Sequence, residues 1–314
     1  MEKPWLEIPK ASDFSWFNLP YGIFSKEDNR PRAGVAIGEY VIDLARAYEL
    51  NLFHELDFGY NVFNEPVLNR FIQLGRKHSG YVRSVLQKGL VNRNSFLKTH
   101  FTELFFHREK VQLHLPLHIG DYTDFYSSEE HATTVGKLFR PDNPLFPNWK
   151  HLPVAYHGRA SSIVVSGTPV HRPMGQIGSD TTPIFSSTRA LDYELELGFV
   201  IGKDSEMGKP VSVEQAESYV FGAVLFNDWS ARDIQRWEYQ PLGPFTAKNF
   251  ASSISPWIVP MEALEYLRST PKEQLPEPLP YLNHPERKGF DIHLSIAIQP
   301  LHYESFTVSN TNSK

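Results

Sequence analysis

Across residues 191–201 the chain alternates, with Leu191, Tyr193, Leu195 and Leu197 in one register and Asp192, Glu194 and Glu196 in the other. A strand repeats every two residues, so the three carboxylates share one face while the apolar set anchors the opposite one. Taken alone, three acidic residues at this spacing read as a solvated sheet face. Their company points elsewhere. Asp121 and Asp124 stand in Asp-Tyr-Thr-Asp-Phe-Tyr, and Asp228 follows the apolar run 220–226 in Asn-Asp-Trp-Ser-Ala-Arg-Asp. Carboxylates forced together in a low-dielectric cleft repel unless they are protonated or bridged by a cation. Magnesium or calcium, each taking six or more oxygen ligands, answers that need without cysteine or histidine. Asp124, Glu194, Glu196 and Asp228 are therefore the expected ligands.

The sequence has no cysteine, which excludes disulfides, thiolate nucleophiles and sulfur-ligated metals. Its 31 basic and 36 acidic residues are spread without long blocks, for a net charge of -5. That balance supplies no phosphate-tracking surface and argues against a nucleic-acid partner. The first five residues contain no apolar signal core and no stretch reaches the length of a membrane span, so cytoplasm and no membrane are expected. The 24 prolines and 13% aromatic residues favour a mostly β, mixed architecture with long loops over a helical bundle.

Residues 14–29 read as an extended, packed segment. Residues 33–37 and 40–44 read as two short strands joined by a tight turn at Gly38-Glu39. Residues 45–58 read as helical, and a longer helix is expected over 65–87. There Val67, Phe71, Leu74, His78, Tyr81 and Val85 recur at helical spacing and Pro66 falls in the first turn. The alternation of Val111, Leu113 and Leu115 leads to a domain boundary near residue 116. Beyond it, residues 162–166, 191–201, 220–226 and 291–299 read as strands, and 214–219 and 262–267 as short helices.

Of 13 histidines, two stand in functional-looking settings: His131, in a loop seven residues after Asp124, and His157, in Tyr-His-Gly-Arg. Histidine is the usual general base near neutral pH, and residue type does not rank the two. Arg232, Gln235 and Lys248, with Tyr239 between them, are candidates to stabilise a developing oxyanion. If residues 229–237 turn as a helix, Arg232 and Gln235 share a face. The bland reading of that segment is an ordinary polar surface turn. Tyr126, Arg140 and Tyr156 suit a substrate carboxylate, the arginine as a planar fork and the tyrosines as directional donors.

Read together, Asp121-Tyr-Thr-Asp-Phe-Tyr-Ser-Ser, His131-Ala-Thr, Pro147-Asn-Trp and Tyr156-His-Gly-Arg-Ala-Ser-Ser resemble the signature region of the fumarylacetoacetate hydrolase family. Asp192-Tyr-Glu-Leu-Glu, Asn227-Asp-Trp-Ser-Ala-Arg-Asp-Ile-Gln and Leu242-Gly-Pro-Phe-Thr-Ala-Lys continue the likeness. The first 116 residues also resemble the small SH3-like barrel that precedes the catalytic domain in two-domain members. The resemblance implies an N-terminal SH3-like domain over 1–116 and a catalytic mixed β-sandwich roll over 117–314. It further implies a homodimer and hydrolysis of a 1,3-diketo acid, 4-fumarylacetoacetate, to fumarate and acetoacetate. By motif, Asp124, Glu194, Glu196 and Asp228 are the calcium or magnesium ligands and His131 the water-activating base. Arg232, Gln235 and Lys248 are the oxyanion and metal-side supports, and Tyr126, Arg140, Tyr156 and Tyr239 the substrate contacts, with Gln235 serving both sets.

Three departures stand out. Ala251 and Ser252 occupy the place of a Gly-Thr pair whose threonine is associated with a bound cation, which makes Ser252 a metal-side residue here. Thr134 stands where asparagine is commoner. The third is at the C-terminus: the sequence given stops at Lys314, whereas the family continues through a glycine-rich segment carrying a threonine and a glutamate that orients the catalytic histidine. The rival expectations are an acylpyruvate hydrolase or 2-oxo-acid decarboxylase at the same metal, and a shortened, non-catalytic homologue.

Overall fold

The computed structural model describes residues 3–27, 30–178 and 182–314. The ends of two sequence readings, at Met1 and Glu2 and at Asn29, lie outside the described residues. The chain divides into two compact units. One is Met1–His118 with Leu197–Leu225 and Ile254–Arg268; the other is Ile119–Glu196 with Phe226–Ser253 and Ser269–Lys314.

The first unit begins with β1 (Tyr21–Ser25), β2 (Arg32–Ile37) and β3 (Tyr40–Asp43), an antiparallel meander in which Tyr21 faces Val35 and Ile37 faces Tyr40. The tight turn expected at Gly38-Glu39 joins β2 and β3 as read. Asp43 ends β3 and starts α1 (Leu44–Glu49): its carboxylate accepts the Arg46 backbone N–H at 3.0 Å and the Arg32 Nε–H at 2.8 Å. The helix expected over 45–58 stops at Glu49, and just beyond it Asn51 takes φ +63°, which turns the chain out of the helix.

The long helix expected over 65–87 is two helices, α2 (Asn69–Gln73) and α3 (Arg76–Val91). Apolar spacing carries through both, which hid the break. Gly75 adopts φ +83°, a left-handed conformation suited to glycine, and ends the first helix. Pro66 lies before α2 in a bend, outside any first helical turn. Helix α3 buries Ser79, Val82, Arg83, Leu86 and Leu90 at helical spacing. Two strands follow, β4 (Phe105–His107) against β3 and β5 (Gln112–His114) against β1.

The second unit opens with β6 (Tyr122–Phe125), α4 (Glu129–Phe139) and β7 (Ala155–Gly158), followed by β8 (Ile163–Val165). Strands β6 and β7 pair so that Asp124 faces Tyr156 and Tyr122 faces Gly158. That last pairing requires glycine, because a Cβ at position 158 would lie 1.8 Å from Cζ of Tyr122. The alternating run is not one strand. Leu191–Asp192 pairs with Ser230–Ala231, the chain pauses at Tyr193 and Glu194, and β9 (Leu195–Ile201) follows. Strand β10 (Val220–Asp228) crosses from the first unit into the second. Helices α5 (Arg232–Glu238) and α6 (Thr246–Asn249) come next, then β11 (Ser252–Ile254), and β12 (Trp257–Pro260) returns to the first unit. A hairpin of β13 (His293–Ile298) and β14 (Phe306–Asn312) closes the described chain.

The first unit recruits these later strands because β12 continues its sheet: Tyr21 faces Ile258, and Ala223 of β10 faces Val259. Its core includes Phe24, Ala36, Val41 and Trp257, with Phe14, Phe106, Val111 and Leu113 packed against them. In the second unit Ala231, Ile234 and Ala247 are buried with Ile177 and Phe250 against them, which joins α5 to α6. The fold is mixed α/β. Its helical share exceeds the mostly β expectation because α3 and the short helices around it bury apolar faces of their own.

Candidate metal centre and active site

Every residue expected at the site lies in the second unit. Strand β6 carries Asp124 on its less exposed register, with Thr123 beside it and Phe125 beyond it on the other. On β7 the same alternation turns Tyr156 toward Asp124 and leaves His157 exposed on the opposite register. Asp228 ends β10 and is 0% exposed. Its Oδ2 accepts from Tyr156 Oη at 2.8 Å and from Lys248 Nζ at 2.8 Å, and its Oδ1 accepts from Ser252 Oγ at 3.4 Å. Ser252 also lies 3.4 Å from Tyr122 Oη.

Asp124, Glu196 and Asp228 each bring a carboxylate oxygen within 4.8 Å of the others. Asp124 Oδ2 is buried with no hydrogen-bond partner, an orphaned acceptor in a site with an excess of acceptors. Burial, then the charge of Asp228, pushes the Asp124 carboxyl up to about 7. Burial, then the charges of Asp124, Glu194 and Asp228, pushes Glu196 up to about 9. Three crowded carboxylates with an unsatisfied buried oxygen fit a hard divalent cation with oxygen ligands.

Glu194 shares Lys248 with Asp228 and also meets Arg232 and His131. Its Oε2 lies 2.8 Å from Lys248 Nζ, and its Oε1 lies 2.5 Å from Arg232 Nη2 and 3.5 Å from His131 Nε2. Burial works to raise this carboxyl, but His131, Lys248 and Arg232 outweigh it and hold it well below the usual range. Lys248 is 4% exposed and bridges Glu194 to Asp228. Burial acts to lower its pKa, and the two carboxylates overcome that and raise it.

Arg232 and Gln235 open α5 on one face, as the three-residue spacing predicted, and Arg232 Nη1 donates to Gln235 Oε1 at 3.1 Å. Arg232 Nε donates to Asp192 Oδ2 at 2.8 Å, so the guanidinium is spread over two carboxylates and an amide. His131 sits in the first turn of α4, where its backbone N–H is capped by Ser128 Oγ at 3.2 Å. Its ring packs edge-on to Tyr126 with centroids 5.7 Å apart. Geometry thus separates the two histidines that residue type left level: His131 reaches the carboxylate network and His157 faces away. Tyr126 Oη donates to the Ala132 carbonyl at 3.1 Å. Arg140 lies over the Phe146 ring at 4.1 Å and donates through Nη2 to the Pro144 carbonyl at 3.1 Å, while its buried Nε has no partner. Tyr239 follows α5 directly, and its Oη accepts from Gln240 Nε2 at 3.1 Å.

Sequence reasoning assigned no role to Asp192, Asn227, Tyr122 or Glu238. Asn227 Oδ1 accepts the Glu194 backbone N–H at 3.2 Å, and Asp228 N–H donates to the Glu194 carbonyl at 3.2 Å, which registers the two carboxylate segments. Glu238 accepts the backbone N–H groups of Phe245 and Ala247 at 3.0 and 2.7 Å and the Thr246 hydroxyl. Asp192 was visible as part of the alternation; the others act through backbone or neighbouring side chains and carry no spacing signal.

Two family models match the chain: Fumarylacetoacetase N-terminal over residues 17–116 and Fumarylacetoacetate (FAA) hydrolase C-terminal over 121–298. The chain belongs to the fumarylacetoacetate hydrolase family. Within this family it is 48% identical to the fumarylacetoacetase of Dictyostelium discoideum, across 99% of this chain and 75% of that protein. It is also 48% identical to the fumarylacetoacetase of Homo sapiens, across 94% of this chain and 72% of that protein. Among solved structures, Cg1458 with inhibitor superposes with a TM-score of 0.54 at 15% identity, covering 94% of this chain and 77% of that one. At that identity the likeness speaks to the fold alone. No helix among the described residues is long and apolar enough to cross a membrane.

Proposed function

We propose that this chain hydrolyses the carbon–carbon bond of 4-fumarylacetoacetate to fumarate and acetoacetate, the closing step of tyrosine and phenylalanine breakdown. The observation that carries the reading is the cluster of half-buried Asp124 and Glu196 with buried Asp228, set in a chain 48% identical to proteins named fumarylacetoacetase. These three residues, with Glu194 as the expected fourth ligand, would hold calcium or magnesium, with Lys248 and Ser252 as metal-side supports through Asp228. When bound, the cation supplies positive charge for the oxygens of a 1,3-diketone and for the enolate that leaves. Glu194 also serves the site through its pairs with Lys248 and Arg232.

His131 takes a proton from the attacking water. The imidazolium charge so formed is stabilised by the Glu194 carboxylate, 3.5 Å from Nε2. The water oxygen adds to the carbonyl carbon, and the resulting oxyanion is stabilised by the cationic Arg232 and Lys248 with the Gln235 amide as a donor. The bond to the methylene carbon then breaks, and the departing enolate takes the proton back from His131 to give acetoacetate. Tyr126, Arg140, Tyr156 and Tyr239 hold the substrate, Arg140 through the part of its fork not spent on Pro144. The proposal extends to architecture and setting: an SH3-like domain over 1–116, a β-roll catalytic domain over 117–314, a homodimer, and a cytoplasmic location.

The test is loss of the fumarylacetoacetate absorbance with added magnesium or calcium. Turnover that needs the cation and falls by about 10²–10⁴ in His131→Ala supports the proposal. Folded, cation-binding protein with no turnover overturns it, and turnover of an acylpyruvate alone reassigns the substrate.

A further inference from the structure

We infer that Glu238 is a positioning residue of this site: one carboxylate closes the loop between the substrate-side Tyr239 and the metal-side Lys248 and sets where Lys248 stands. The inference rests on the functional reading above for the importance of Lys248, and on hydrogen bonds alone for the rest.

Glu238 is the last residue of α5, and Tyr239 follows it directly. From there the chain loops out, exposing Leu242 at 96% and Phe245 at 58%, and returns as the single turn α6, Thr246–Asn249. Such a short helix cannot hold itself, because its opening N–H groups have no intrahelical acceptors. Glu238 supplies the missing acceptor. Its Oε1 takes the N–H of Phe245 at 3.0 Å and of Ala247 at 2.7 Å, and its Oε2 takes the Thr246 hydroxyl. Gly243 N–H to the Tyr239 carbonyl at 2.6 Å closes the loop inside this clamp. The next residue after Ala247 is Lys248, whose Nζ must lie 2.8 Å from both Glu194 and Asp228. Contact of Ile234 and Ala247 in the core fixes the two helices laterally, while the Glu238 hydrogen bonds fix the turn along the chain.

The two carboxylate oxygens divide the work in a way that makes the inference testable by shape. Both N–H groups go to Oε1, so Glu238→Gln keeps them, and its amide can donate to the Thr246 oxygen instead of accepting from it. Glu238→Ala removes all three links. Glu238→Asp keeps the charge but withdraws the oxygens by one methylene.

Hydrogen exchange read by mass spectrometry, cation binding by calorimetry and steady-state turnover decide the matter together. Expected for Glu238→Ala is at least tenfold faster exchange in residues 239–248 with residues 220–226 unchanged. Turnover should fall in kcat by about 10²-fold, as for a displaced catalytic geometry, with KM altered less than threefold. Glu238→Gln should stay within threefold of the parent in exchange and kcat, and Glu238→Asp should fall between the two. If the alanine variant does not fold, the Gln and Asp pair carries the same comparison. Parent-like exchange in the Ala or Asp variant overturns the inference, as does a Gln variant as impaired as Asp. Should the parent bind cation and show the expected exchange pattern yet turn over no fumarylacetoacetate, the functional reading fails and the positioning of Lys248 by Glu238 stands.

Discussion

Lys248 shows how narrow the charge balance at the centre of the site is. It stands between Glu194 and Asp228 with almost no contact with solvent. Replacing it with methionine leaves two buried carboxylates without their shared counter-charge, and breaking a buried pair in this way costs about 3–5 kcal/mol. A denaturant midpoint lowered accordingly in chelator is the expected outcome for Lys248→Met; an unchanged midpoint would show that Arg232 alone neutralises Glu194. Asp124 and Glu196 set the pH dependence. Both are held above their ordinary values, so their contribution to stability is complete below about pH 4. It is lost as the pH rises through about 7 and then about 9. A bound cation removes that loss, because it favours the ionised forms. The stabilisation given by saturating calcium or magnesium should therefore grow from pH 6 to pH 9, and protons should be released on binding near pH 7. Equal stabilisation at both pH values, in melts with and without chelator, would contradict this. At this scale the sequence was informative about residue type and silent about partnership. Glu194 and Glu196 occupy the same register, yet one is absorbed by Lys248 and Arg232 and the other joins Asp124 and Asp228.

Among the elements, β6 and β7 place Asp124 and Tyr156, and their approach depends on a missing side chain. Gly158→Ala drives a methyl group into the Tyr122 ring, and overpacking of this kind costs about 1–3 kcal/mol. Tyr122 meets Ser252, which in turn donates to Asp228, so the same variant should weaken cation binding measured by calorimetry; unaltered affinity would mean that β6 can shift without disturbing Asp228. Far from the site, Leu86→Ala in α3 opens a cavity at a fully buried position of the first unit and should cost about 2–5 kcal/mol with cation affinity unchanged. Thermal or denaturant melts check the first part and titration of the folded variant the second. The elements themselves were legible where local chemistry was strong. The β2–β3 hairpin announced itself through apolar strands around Gly38, and β10 through its unbroken apolar run. The split between α2 and α3 was not legible, since apolar spacing runs on through Gly75 and only the backbone angle there ends the helix. The pause at Tyr193 and Glu194 was hidden for the same reason, within an alternation that looks continuous.

For the molecule as a whole, the two units are not two consecutive lengths of chain. The first draws in Leu197–Leu225 and Ile254–Arg268, because β10 and β12 extend its sheet. No local pattern reveals such long-range pairing. Cation binding should register across the second unit. At a hundredfold excess over its dissociation constant, a ligand that binds only the folded state adds about 2.7 kcal/mol. The transition temperature should rise with calcium or magnesium and return on chelation. Around the carboxylate cluster, acidic side chains outnumber cationic ones: Asp192 and Glu194 join Asp124, Glu196 and Asp228, against Lys248 and Arg232. A chain that hydrolyses a doubly anionic diketo acid at such a place faces a question of sequence in time. Without the cation the excess of acidic groups opposes an anionic substrate, and a bound divalent ion would offset it. This charge balance predicts ordered loading, metal before diketone, with a chelator opposing the substrate's arrival before it touches the chemistry.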